Sequence, residues 1–186
     1  METKVYFIRH AEPDISVKED LIRPLSRKGY EDTRRVTEAL ADKGISVIYS
    51  SPYKRSIDTI KHFADMNCLE INTIHDFRER CIGEWVEDFK TFTQKQWEDF
   101  EYKLSAGECL REVQERNISA LHEVLKDNIG RSIAIATHGT ALSTIINYYN
   151  PDFRYNGFRS IIDKMPCIVY FRFDGMEFIS AEELEV

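Results

Sequence analysis

Two short apolar runs, one near each end of the chain, are each followed at once by a histidine. Residues 5–8 (VYFI) precede Arg9-His10, and the clearest buried strand in the sequence, 132–137 (SIAIAT), precedes His138-Gly139. Continuous apolar runs of this length are typical of strands that are buried on both faces of a sheet. Because ligands of open α/β sheets bind at the carboxyl ends of parallel strands, we expect both histidines at one sheet edge.

Between and after these runs, strand-like and helix-like segments alternate. Further strands are predicted at 47–50 and 70–74, with a terminal hairpin of 167–173 and 177–180. Helices are predicted to begin at Ser26, after Ser51-Pro52, near Glu108 and after His138. This alternation favours a parallel sheet with helices on both faces. We therefore predict an α/β fold, a three-layer αβα sandwich with a mostly parallel central sheet and an antiparallel strand near the C-terminus.

The buried faces of the predicted helices follow from their apolar spacing. The first helix, which ends at Gly44, is predicted to bury Tyr30, Thr33, Val36 and Leu40, and the second to bury Ile57, Ile60 and Phe63. The aromatic and acidic segment at about 84–107 is predicted to be an inserted helical flap rather than core. Its predicted apolar stripe contains Trp85, Phe89, Phe92, Trp97, Phe100 and Tyr102.

Length and composition restrict the class of protein. The chain has 186 residues, 42% of them hydrophobic, and no linker-like stretch, so we expect a single domain over residues 1–186. A net charge of -7 argues against binding to nucleic acid or to an anionic membrane surface. We expect no signal peptide and no membrane span, and hence a cytoplasmic location. The four cysteines form no CxxC pair, so we expect them to be reduced and mostly packed.

Four basic side chains are expected to converge at the sheet edge: Arg9, His10, Arg55 and His138. Guanidinium groups form bidentate hydrogen bonds with phosphate oxygens, and the amino end of the helix after His138 adds partial positive charge. A neutral imidazole is a competent nucleophile toward phosphorus when a backbone carbonyl holds its other ring nitrogen.

The same residue types leave other interpretations open. Arg55 and His138 could mark only the starts of helices, and Glu79 could form a surface ion pair. Two histidines and the Glu79 carboxylate could also bind iron or zinc. Two arginines directed at one point would repel a cation, however, so a metal site is disfavoured.

The segments FIRHAEPD, SSPYKRSIDT, FRERCIGEW and ATHGTAL resemble, in order and spacing, the motifs of the histidine phosphatase superfamily, which includes the cofactor-dependent phosphoglycerate mutases. The resemblance covers most of the chain. It implies that His10 becomes phosphorylated, that Arg9 and Arg55 bind the phosphate, and that His138 is the second histidine. It also implies that Glu79, in an E-x-x-x-G pattern before the flap, protonates the leaving alcohol and then activates water. His138 is expected to be protonated during the first step.

Phosphatases and mutases of this family share these five residues, so other positions must distinguish them. The mutases usually continue the first motif with Ser and Asn, where this chain has Pro13 and Ser16, and their insertion carries arginines where this flap is acidic. Both departures favour a phosphatase acting on a small phosphate monoester. A phosphoglycerate mutase and a non-catalytic phosphate-binding domain are the alternatives.

The remaining expectations concern ligands and assembly. Ser16, Gly139 and Thr140 are further substrate-binding candidates, beside Arg9 and Arg55. We expect a small phosphorylated substrate, no metal and no cofactor. A homodimer stays open.

Overall fold

A mixed six-stranded sheet forms the centre of the computed structural model, which describes residues 1–186. The strands are β1 (Glu2–Arg9), β2 (Ile45–Ser50), β3 (Ile71–Thr73), β4 (Ser132–Thr137), β5 (Cys167–Asp174) and β6 (Glu177–Leu184). The helices are α1 (Arg27–Leu40), α2 (Lys54–Met66), α3 (Phe89–Glu98), α4 (Leu110–Asp127), α5 (Gly139–Tyr149) and α6 (Tyr155–Ile162), and a short 3-10 helix spans His75–Phe77.

The strand order of the sheet is β3-β2-β4-β1-β5-β6. The first four strands in this order are parallel, whereas β5 is antiparallel to β1 and β6 is antiparallel to β5. The predicted fold class is therefore confirmed, with two antiparallel strands at one side of the sheet. The topology also places β1 and β2 on either side of β4, so the three strands that precede His10, Ser51 and His138 are neighbours.

Helices cover both faces of the sheet, because alternate residues of each central strand point to opposite layers. On one face, Val5 and Phe7 of β1 belong to a core with residues of α4 and α5. On the other face, Tyr6 and Ile8 pack with residues of α1 and α2. The strands are buried on both sides, which explains why their sequences read as continuous apolar runs.

Two sequence-based expectations about packing are wrong, and one helix was not predicted. Tyr30 is 47% exposed rather than buried, and its hydroxyl donates to Asp58 at 2.8 Å. The segment 84–107 is helical only in α3, and it contributes to the core, because Trp97 is 2% exposed and packs with Phe158. Helix α6 was not predicted; it is short and amphipathic, and it buries Phe158 and Ile161.

The structure also shows the state of the cysteines and the character of the helices. All four cysteines are free; Cys109 and Cys167 are buried, whereas Cys68 and Cys81 are exposed, so only half of them are packed. None of the helices combines the length and the apolar character that crossing a membrane requires.

Candidate active site

His10, Ser51 and His138 directly follow three adjacent strands, β1, β2 and β4. Two backbone bonds continue the sheet past its last regular residues: His10 N donates to Thr137 O at 3.1 Å, and Ser51 N donates to Ala136 O at 2.9 Å. These bonds hold the three residues side by side. The convergence of His10 and His138 at one edge therefore follows from the register of the parallel strands, and their ring centroids lie 5.2 Å apart.

The ring of His10 is fixed through both nitrogens. Nδ1 lies 2.7 Å from the carbonyl oxygen of Ala11, and Nε2 lies 3.2 Å from Nε of Arg55, which donates to it. The carbonyl contact requires a proton on Nδ1, so the lone pair is on Nε2. Burial, and then the charges of Arg55 and Arg9, lower the pKa of His10 well below its ordinary value. The ring is thus a neutral imidazole, as the sequence analysis expects of a nucleophile.

Arg9 lies beside His10 and is 7% exposed. Its Nη1 donates to the carbonyl oxygens of Ile161 at 2.8 Å and Lys164 at 2.5 Å, whereas its buried Nε has no partner. A Cβ atom at Gly139 would lie 3.2 Å from this Nε and 2.9 Å from Cγ2 of Ile162. Glycine at the start of α5 therefore allows the helix to approach the guanidinium closely.

Arg55, at the start of α2, is 3% exposed and is held by Asp20. Its Nη1 donates to the Asp20 carbonyl oxygen at 2.7 Å and lies 3.1 Å from the Asp20 carboxylate. The same carboxylate accepts from Arg23 at 2.7 Å. The sequence analysis missed Asp20 and Arg23, because they lie in a polar loop whose only signal is the presence of charged residues.

Glu79 lies at the amino end of α5. Its carboxylate accepts hydrogen bonds from the backbone N of Arg80 at 2.7 Å and of Thr140 at 3.1 Å. Arg116 of α4 holds the surrounding backbone, because it donates to the carbonyl oxygens of Arg78 at 3.0 Å and Glu79 at 3.3 Å. The carboxylate is thus placed against the start of the helix that follows His138.

His138 is fully buried, and its Nε2 lies 2.8 Å from the Oγ of Ser51. Burial, and then the charges of Arg55, His10 and Arg9, lower the pKa of His138 well below its ordinary value. A third buried cation beside Arg9 and Arg55 is unfavourable in the unliganded protein, whereas the protonated His138 expected during the first step stays a prediction. Ser51 was part of a recognised motif, but its contact with His138 was not anticipated.

The predicted site residues divide into two groups. Arg9, His10, Arg55, Glu79, His138, Gly139 and Thr140 come together at the carboxyl end of the sheet. Ser16 is exposed, and its hydroxyl donates to Asp14 at 2.6 Å, so its role in substrate binding stays a prediction. No group of three His, Cys, Asp or Glu side chains has an arrangement that could hold a metal ion.

A buried imidazole between two arginines, at the edge of a doubly covered α/β sheet, is typical of proteins that bind and transfer phosphoryl groups. The family can be named from the sequence. The profile of the histidine phosphatase superfamily (branch 1) matches residues 5–181, so this chain belongs to that superfamily.

Individual relatives agree with this assignment. The chain is 26% identical over 151 residues to phosphoserine phosphatase 1 of Hydrogenobacter thermophilus, an alignment that covers 73% of this chain and 70% of the relative. Among solved structures, Bacillus stearothermophilus YhfR is similar with a TM-score of 0.78 and 22% identity, covering 95% of this chain and 94% of that one. The phosphoserine phosphatase of Entamoeba histolytica, solved with 3-phosphoglyceric acid, has a TM-score of 0.79 and 20% identity, covering 99% and 98% of the two chains.

Proposed function

We propose that this protein is a phosphatase that hydrolyses a small phosphate monoester through a phosphohistidine at His10. Its superfamily and its curated relatives support the broader class, that of the phosphoric monoester hydrolases. The observation that carries the finer proposal is the state of His10. This ring is neutral, is anchored through Nδ1, and directs its Nε2 lone pair toward Arg55.

The first step forms a bond between Nε2 of His10 and phosphorus and breaks the bond between phosphorus and the ester oxygen. Arg9 and Arg55 stabilise the negative charge on the equatorial oxygens, and both are already desolvated and positioned. Glu79, protonated for this step, gives its proton to the leaving alcohol. Its position at the amino end of α5 keeps it beside the phosphate-binding groups.

The second step reverses these roles. Glu79, now a carboxylate, takes a proton from water while the water oxygen attacks phosphorus. The bond between phosphorus and Nε2 breaks, inorganic phosphate is released, and His10 returns to its neutral state. Because the hydrogen bond from Nδ1 to Ala11 O persists, the same nitrogen is available for the next cycle.

The named relatives and the acidic segment 84–107 bear on the class of substrate. Curated relatives named as phosphoserine phosphatases, from Hydrogenobacter thermophilus and Arabidopsis thaliana, make phosphoserine the first compound to test. The acidic segment 84–107 lacks the arginines that a phosphoglycerate mutase would need for its substrate carboxylate, which favours hydrolysis over transfer. A cytoplasmic location stays a prediction of the sequence, and a homodimer stays open.

A panel of phosphate monoesters tests this function. We expect release of inorganic phosphate from p-nitrophenyl phosphate and from at least one small phosphorylated metabolite, insensitive to a metal chelator and blocked by vanadate. In a mutase assay with 3-phosphoglycerate, we expect no product. Absence of turnover on every ester would favour the non-catalytic phosphate-binding alternative, and interconversion of phosphoglycerates would favour the mutase.

A further inference from the structure

Ser51 and His138 form a fully buried pair that the proposed reaction does not itself require. Both residues are 0% exposed, and the Oγ of Ser51 lies 2.8 Å from Nε2 of His138. The same Oγ accepts a hydrogen bond from the backbone N of Tyr53 at 3.2 Å. A hydroxyl has one proton to donate, and for Ser51 the only acceptor in contact is Nε2 of His138.

These hydrogen bonds of Ser51 determine which nitrogen of the neutral His138 ring carries the proton. If Ser51 donates to Nε2, then Nε2 carries the lone pair and Nδ1 carries the proton. The opposite tautomer would leave the Ser51 proton buried without an acceptor, which is costly. It would also present the lone pair of Nδ1 to an incoming phosphate, whose oxygens are themselves acceptors.

His138 lies between Ser51 and His10 along this edge of the sheet. Ser51 follows β2 and His10 follows β1, and these strands lie on opposite sides of β4, which His138 follows. The two nitrogens of an imidazole point in widely divergent directions. Because Ser51 occupies Nε2, Nδ1 is the ring nitrogen that is left to contact a ligand, and the His138 and His10 ring centroids are 5.2 Å apart. In the unliganded structure this Nδ1 is buried and has no hydrogen-bond partner.

We propose that Ser51 is a positioning residue for His138: its hydroxyl fixes the tautomer in which Nδ1–H is a neutral hydrogen-bond donor to the phosphoryl group. This inference rests on the proposed function for its catalytic consequence, but the tautomer itself is a property of the resting protein. It also resolves how a histidine can assist at this site without a charge. A neutral donor provides a hydrogen bond to the phosphate oxygen without adding a third cation beside Arg9 and Arg55.

Ring nitrogen spectroscopy of the uniformly ¹⁵N-labelled protein tests the tautomer directly. The signals of His138 are identified by their loss in His138→Ala. In the wild type at neutral pH we expect Nδ1 to have the shift of a protonated nitrogen and Nε2 that of an unprotonated one. Addition of inorganic phosphate should move the Nδ1–H proton downfield. A protonated Nε2 in the wild type would overturn the proposal, whatever the enzyme's activity.

Kinetics of variants test the consequence. Ser51→Ala should lower kcat/KM for p-nitrophenyl phosphate by about 10- to 100-fold, the usual effect of removing a group that orients a functional histidine. Ser51→Thr, which keeps the hydroxyl, should recover part of this loss. In a His138→Ala background, Ser51→Ala should cause little further loss, because the two residues act as a unit.

Ser56→Ala is the matched control, because Ser56 is also fully buried near the start of α2 and its hydroxyl has no partner. We expect it to retain wild-type kcat/KM. A folded Ser51→Ala protein with wild-type kcat/KM and unchanged His138 ring shifts would overturn the proposal. If the wild type hydrolyses no ester at all, the proposed function fails, while the ring shifts still decide the role of Ser51.

Discussion

Arg55 donates a hydrogen bond from its Nε to Nε2 of His10, so the lone pair that would attack phosphorus is occupied in the unliganded protein. The two nitrogens are 3.2 Å apart, within hydrogen-bonding distance, and both residues are buried. It keeps the imidazole neutral, and it keeps the guanidinium beside the atom to which phosphorus must bond. A bound phosphate would take over this N–H group and free the nitrogen for attack.

Replacement of Arg55 by lysine tests this relationship. Arg55→Lys keeps the charge but loses the planar fork that contacts His10 and Asp20 at once. We expect kcat/KM for p-nitrophenyl phosphate to fall by about 100- to 1,000-fold, as on removal of one preorganised donor. Arg34→Lys, on the exposed side of α1, is the control and should retain wild-type activity. Comparable activity of the two variants would contradict the assignment of Arg55.

The two buried histidines predict how stability depends on pH. Burial, and then Arg55, lower the pKa of both His10 and His138 in the folded state. The unfolded chain therefore binds protons that the folded chain does not, below the ordinary histidine value of 6.5. Stability should be fully present above that pH and fall as the pH drops below it, by about 1.4 kcal/mol per pH unit for each histidine.

Urea unfolding between pH 7 and pH 5 measures this effect. His138→Asn removes one of the two groups, so its unfolding free energy should change less steeply with pH than that of the wild type. His75→Asn changes an exposed ring and should keep the wild-type slope. Equal slopes for His138→Asn and the wild type would show that His138 is not buried in its neutral form.

Asp20 places a negative charge next to the phosphate-binding arginine. Its carboxylate lies 3.1 Å from Nη1 of Arg55 and 2.7 Å from Nη1 of Arg23, and it is partly open to solvent. Asp20→Asn removes the charge, while the backbone contact to Arg55 and an amide oxygen remain. We expect inorganic phosphate to inhibit this variant more tightly, with a Ki about 3- to 10-fold lower, because a screened repulsion is removed.

Glu19→Gln is the control for this experiment, because Glu19 is exposed and adjacent in sequence. Its Ki for phosphate should stay at the wild-type value. A raised Ki in Asp20→Asn would mean that the carboxylate is needed chiefly to orient Arg55.

The acid role of Glu79 can be separated from its role as a base by the choice of leaving group. In single-turnover experiments, Glu79→Gln should slow cleavage of alkyl phosphates by about 100-fold or more, since their alkoxides need a proton. Release of p-nitrophenol, a good leaving group, should be much less affected. Glu87→Gln, an exposed carboxylate of the segment 84–107, should alter neither rate. An equal loss on both esters would exclude Glu79 as the acid.

The sheet and the site were predictable from the sequence to different extents. The histidines could be placed together because each ends an apolar run, and parallel strands bring such ends to one edge. The carbonyl partner of His10 Nδ1 could be anticipated on chemical grounds, and the structure supplies Ala11. By contrast, the neutral state of His138 depends on how deeply the ring is buried among arginines, which no local pattern encodes.

The features that the sequence analysis missed depend on contacts between distant segments. Helix α6 is short, and its buried face is complete only against Trp97 of α3. Asp20 and Ser51 act through Arg55 and His138, which are separated from them by 35 and 87 positions. Ser16 is a different case, because its expected role rests on its position in a motif and its hydroxyl donates to Asp14, only two residues away.

The most direct test of the account is the identification of the phosphorylated residue. Glu79→Gln should be mixed with p-nitrophenyl phosphate, quenched rapidly under alkaline conditions and analysed by mass spectrometry, because this variant forms the intermediate but hydrolyses it slowly. We predict one acid-labile phosphoryl group per chain, attached to His10. It should be absent from the double variant that carries His10→Asn together with Glu79→Gln. Phosphate on another residue, or turnover that persists in the His10→Asn protein, would contradict the central claim.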